Sequence, residues 1–212
     1  MFKCLMSARK STFFSLLIIF LFVLSCQKDV ASKSYFPETG RNAIYQNSID
    51  LRRNLNVLSI SMQPGQEDLS GLAYFRLGLG ARIMSAYITN GEGGESDVRG
   101  EYPPYLAKIR REEAAEALTY LGGQVYYLNM PHIASARDSA RVRELWPADQ
   151  LQAGLVELFS QFRPDVVLLA RDWTRVINNH QWERLHADLI TAAKESPFVE
   201  HLFVDSDNKK GL

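Results

Sequence analysis

The side chains able to do chemistry fall in a few short stretches of this 212-residue chain. Asn90 and Glu92 stand among Gly91, Gly93 and Gly94, and glycine lets a backbone approach a ligand closely. Glu67 and Asp68 are adjacent carboxylates, suited to ligating a cation or taking a proton. The histidines are His132, His180, His186 and His201. His186 follows His180 by about 600° of helix, so the two point in different directions. Arg110 and Arg111 lie among Lys108, Glu112, Glu113 and Glu116, a pattern that suits a solvated helix face as well as a pocket. The only cysteines are Cys4 and Cys26, which excludes a disulfide scaffold and a Cys-ligated metal site.

These groups need elements to position them. Apolar runs at 57–62, 83–89, 125–130, 166–170 and 202–204 read as strands. Helical periodicity covers 68–79, with Leu69, Leu72, Ala73 and Leu77 on one face and Gly80 as the stop. It recurs at 108–121, with Ala114, Ala117, Leu118 and Leu121 inward, at 147–162 with Pro147 in the first turn, and at 179–194, where Trp182 reads as core. Residues 91–106 and 131–146 read as long loops. The alternation predicts an α/β, Rossmann-like fold, a mostly parallel sheet with helices on both faces. Sites in such sheets lie at the strand carboxyl ends, here 62–67, 89–95, 131–132 and 170–180. His132 directly follows the third strand.

Residues 1–26 stand apart. Lys3, Arg9 and Lys10 precede Phe13–Leu24, an apolar stretch of roughly 18 Å as a helix, too short for a ~30 Å hydrocarbon core. A signal segment is expected. Its end, Val23-Leu24-Ser25-Cys26, resembles a bacterial lipobox, which would lipidate Cys26 and place the chain at the bacterial cell envelope, anchored to the membrane outside the cytoplasm. An ordinary signal peptide or uncleaved anchor is the other reading. Residues 27–50 read as a polar tether with a short helix around 49–55, and 51–212 as the domain. The chain has 24 Lys+Arg against 24 Asp+Glu and no basic tract, which argues against a nucleic-acid partner.

Four stretches carry a family resemblance. They are Ser61-Met62-Gln63-Pro64-Gly65-Gln66-Glu67, Tyr87-Ile88-Thr89-Asn90-Gly91-Glu92-Gly93-Gly94, Arg110-Arg111-Glu112-Glu113 leading to Leu121-Gly122, and Arg163-Pro164-Asp165-Val166-Val167 leading to Asn179-His180-Gln181. In this order they resemble the LmbE-like (PIG-L) de-N-acetylases, most closely a large secreted bacterial branch, over about 56–194. Members of that family are zinc hydrolases that remove acetyl groups from N-acetylglucosamine-type sugars. Longer relatives continue past this length, so the resemblance also admits a C-terminally truncated chain.

The resemblance implies zinc ligands at the His and second Asp of the first motif (Ala-His-Pro-Asp-Asp-Glu) and at the last His of the fourth, with the first Asp as base. Pro64 and Glu67 fix the register, so those first-motif positions hold Gln63, Gln66 and, for the base, Gly65. Of the set, only His180 remains as a metal ligand. A Gln amide is a poor zinc donor beside imidazole or carboxylate, and Gly65 has no side chain to take a proton. The expectation is a lapsed deacetylase with no cofactor, retaining a cleft for an N-acetylated sugar or glycan. Asn90, Glu92, Arg110, Asp172 and Trp173 are the expected substrate-binding residues, with Tyr102 and Tyr105 nearby. The alternative is an active de-N-acetylase that holds zinc through His180 with Glu67 or Asp68, and with His132 in support.

Overall fold

Each apolar run becomes a strand and each amphipathic stretch a helix. The computed structural model describes residues 40–52, 54–93, 105–133, 138–170 and 179–204. The segment expected to be a signal, with Cys26, most of the expected tether, Gly94, Tyr102, Asp172 and Trp173 lie outside the described residues. The strands are β1 (Asn56–Ser61), β2 (Arg82–Tyr87), β3 (Gln124–Tyr127), β4 (Val166–Leu169) and β5 (His201–Val204). They pair in the order β3-β2-β1-β4-β5, every pairing parallel. The order reverses between β1 and β4, which opens a crevice at their carboxyl ends.

The pleat divides β1 between two cores. Leu58 and Ile60 face one side, with Ala86, Val167 and Leu169. Val57 faces the other, with Ile83 and Val166. The first side is covered by α4 (Ser139–Leu145), α5 (Ala148–Phe162) and α6 (His180–Glu195), and the second by α2 (Leu69–Ala73) and α3 (Tyr105–Tyr120). Helix α5 buries Leu151, Leu155, Leu158, Phe159 and Phe162, each worth about 1.5–3 kcal/mol. It ends at Arg163 in a left-handed conformation, φ 53°. Asp165, two residues on, ties the strands together: its Oδ2 accepts from Asn56 N at 2.6 Å. Its backbone O accepts from Glu200 N and His201 N at 2.9 and 3.0 Å. Among the described residues no helix is long and apolar enough to cross a membrane.

Three expectations are corrected. The segment before β1 forms α1 at Arg41–Asp50 rather than a short helix at 49–55. Its Asp50 is forked onto the buried Arg76, Nη2 to Oδ2 at 2.8 Å, with a second contact from Nη1 to Oδ1. Gly80, φ +67°, lies against it so closely that a Cβ there would meet Ile49 O at 2.6 Å. Second, the helix expected at 68–79 is α2 continued by a π-helical turn, Tyr74–Gly78. The wider turn rotates the stripe: Leu72 and Arg76 are buried, while Leu69 and Leu77 are 39% and 46% exposed. Third, the expected 131–146 loop contains α4. Asp138 caps it, its Oδ1 accepting from Ala140 N and Arg141 N at 3.0 and 3.1 Å, and Val142 anchors it in the core. Its seven residues are too few to show a clear period in the sequence.

Candidate functional site

The loop after β1 is a tight turn. Gln66 N donates to Gln63 O at 3.3 Å, and Gly65 takes φ +87°, which disfavours a side chain. Both carboxylates that follow are engaged by backbone. Glu67 Oε2 accepts from Gly65 N at 2.7 Å, and Asp68 Oδ1 accepts from Gly71 N at 2.9 Å as the cap of α2. Across the sheet, His180 opens α6 with Nδ1 2.8 Å from Glu183 Oε2. Asn179 caps the same helix through Trp182 N at 3.2 Å. Gln181, next along, is buried.

Zinc in a hydrolase site needs three imidazole or carboxylate ligands and an open position. Among the described residues no three His, Cys, Asp or Glu side chains are grouped to hold a metal ion. Gln63, Gly65 and Gln66 bring no anionic or imidazole donor to the turn, so the donor set does not fit the zinc that the sequence resemblance implies.

The glycine loop after β2 is built more fully. Thr89 stitches it to the β1 loop, with N and Oγ1 donating to Met62 O at 2.9 and 3.1 Å. Arg110 Nη1, from α3, donates to Gly91 O at 2.7 Å and to Gly93 O at 3.0 Å. Glu92 Oε1 accepts from His132 N at 2.8 Å. Among the described residues, Glu92 Oε2 and His132 Nδ1 are buried without a hydrogen-bond partner. Burial pushes the His132 imidazole below its ordinary pKa; the Glu92 carboxylate opposes that shift and the Arg110 cation adds to it. The structure therefore joins Glu92, Arg110 and His132, which the sequence reading named separately.

Arg111 serves a different place from Arg110. Its guanidinium lies 4.1 Å from the Tyr127 ring centroid, and its Nη1 donates to Asn90 Oδ1 at 3.1 Å. Tyr127 in turn donates to Arg111 O at 3.2 Å and stacks on Tyr87, centroids 5.3 Å apart. Asn90, Arg111 and Tyr127 line an open cavity of about 590 Å³ between α3 and the β3 edge, which also includes Glu92, Lys108, Ala115 and Val125. Tyr127 escaped the sequence reading, although its alternation with Val125 on the third strand was available to find it. Burial raises the pKa of Tyr127, opposed by Arg111. It raises that of Tyr87 further, reinforced by Glu67.

A second cavity, of about 420 Å³, occupies the crevice beside β4. Glu67, Asp68, Leu69, Ala170 and Phe203 are among its walls. Among the described residues no histidine is on the walls of either cavity. His186 stacks on Trp182, centroids 5.0 Å apart, and Trp182 packs against the larger core. Tyr105 begins α3 and is 69% exposed.

One solved structure, at a TM-score of 0.50, agrees with this architecture. Among solved structures, the chain is similar to GalB, the 4-carboxy-2-hydroxymuconate hydratase of Pseudomonas putida. The identity is 18% over 68% of this chain and 62% of that one, with a TM-score of 0.50. It is similar to the conserved protein TT1542 of Thermus thermophilus at 22% identity, over 71% and 65%, TM-score 0.49. It is also similar to Dbv21, the A40926 pseudoaglycone deacetylase, at 15% identity, over 66% and 59%, TM-score 0.48. The chain thus spans less than two thirds of the length of each. No curated protein matches it. The family model for GlcNAc-PI de-N-acetylase, PIG-L, matches residues 70–191, a stretch that begins after the β1 turn and takes in the glycine loop, α3 and most of α6. With more than half its length matched, the chain belongs to the PIG-L family of de-N-acetylases.

Proposed function

We propose that this protein is a PIG-L-family domain that has lost zinc catalysis and binds an N-acetylated sugar at the strand carboxyl ends, held at the bacterial cell envelope by a lipid on Cys26. The observation that carries the reading is the β1 turn, which holds Gln63, Gly65 and Gln66 where the sequence resemblance expects the family's His, Asp and Asp. Amide hydrolysis needs a metal or acid to polarise the carbonyl and a base to activate water. Gly65 cannot act as a base, and the carboxylate of Glu67 is folded back onto Gly65 N.

Recognition needs less. A sugar presents hydroxyls and an amide, which carboxylate, amide and guanidinium groups hold by hydrogen bonds over an apolar floor. Asn90, Lys108, Arg111, Glu112 and Tyr127 supply polar groups to the α3–β3 cavity, and Val125, Ala107 and Ala115 the floor, while the lining Glu92 holds His132 N. Arg110 fixes the shape of the loop through Gly91 O and Gly93 O.

The test is to incubate the full chain with N-acetylglucosamine and its β-1,4 dimer, with and without Zn²⁺, and follow both binding and released acetate. Binding without acetate release is expected. Acetate released at a rate that Gln63→Ala or His180→Ala abolishes would establish the active deacetylase instead.

A further inference from the structure

Arg111 is the one cation on the wall of the α3–β3 cavity that no carboxylate neutralises among the described residues. Lys108, the other lining cation, lies 3.7 Å from Glu112. Arg111 is held in place nonetheless, stacked on Tyr127 and bonded to Asn90 through Nη1. A guanidinium has five N–H donors in a planar fork, so most of its donors remain for a ligand. Its orientation is set in advance, and less is lost when a partner arrives.

We propose that this cavity selects a carboxylate-bearing N-acetylated sugar, with the acid group on Arg111; the inference rests on the sugar-binding reading above. The planar fork matches a carboxylate in two parallel bonds. One unpaired cation matches one negative charge. Among the described residues a dianionic phosphate would find no second unpaired cation on this wall, and the lining Glu92 and Glu112 would oppose its two charges more strongly than the single charge of a carboxylate. The adjacent arginine, Arg110, is occupied with the loop carbonyls, so selection falls to Arg111.

The experiment titrates the full chain with N-acetylmuramic acid, N-acetylglucosamine and N-acetylglucosamine 6-phosphate at low salt. N-acetylmuramic acid is expected to bind about tenfold or more tighter than the neutral sugar, as a hydrogen bond to a charged group allows. It should also bind tighter than the phosphate. That preference should fall towards one in Arg111→Gln, and largely in Arg111→Lys, which keeps the charge but not the fork. The second variant serves if the first melts early. Equal binding of acidic and neutral sugars, a preferred phosphate, or a preference that survives both substitutions overturns the inference alone. No binding of any sugar overturns it together with the sugar-binding reading.

Discussion

Gly93 faces the His132 ring so closely that a single methyl group tests the geometry of the site. A Cβ at Gly93 would lie 1.9 Å from His132 Cδ2 and 2.5 Å from Nε2, far inside van der Waals contact. The imidazole cannot step aside freely, because it is part-buried and its backbone N is bonded to Glu92. Overpacking of this kind costs about 1–3 kcal/mol. At about 2–4 °C per kcal/mol for a chain of this size, Gly93→Ala should lower Tm by about 2–12 °C. His132→Ala removes the ring, so adding Gly93→Ala in that background should cost less than about 0.5 kcal/mol. Urea denaturation of the wild type, both single variants and the double variant gives the coupling directly. Equal costs of Gly93→Ala in the two backgrounds would refute the placement of His132 against the glycine loop.

Further predictions concern charge. His132 has a lowered pKa in the folded chain, so the unfolded chain binds its proton first as pH falls. The stability this histidine contributes is present above about pH 6.5 and is lost as pH drops from there through the folded value. Melts between pH 8 and 5 should show this slope, and His132→Asn should flatten it. Asp50→Ala leaves the buried Arg76 without its fork partner and should cost about 2–4 kcal/mol by urea denaturation. Arg76→Met in the same chain should recover part of that cost. Asp138→Ala removes the cap of α4 and should cost about 1 kcal/mol in the same assay.

The sequence made the sheet legible because β1 and β4 are short apolar runs bounded by turn residues, and α5 and α6 carry full stripes. Local periodicity failed where a long-range contact decides the outcome. The π turn at Tyr74–Gly78 places Arg76 inward, towards Asp50, a partner 26 residues away. Helix α4 is too short to announce itself without its cap. At the site, the glycine loop and the two arginines were visible as a motif. Which arginine braces the loop and which faces the cavity was not, because adjacent helical positions diverge by about 100° and only packing tells which way each turns. Tyr127 matters through its place beside Arg111, which residue type alone does not give.

Zinc content bears most closely on whether the β1 turn has lost its metal site. The full chain would be exposed to excess Zn²⁺, dialysed and assayed for bound metal, alongside His180→Ala. Substoichiometric zinc is expected in both, with a cooperative melt that added zinc does not shift. One zinc per wild-type chain, lost in His180→Ala, would contradict it and make this protein a metal enzyme with an unfamiliar ligand set.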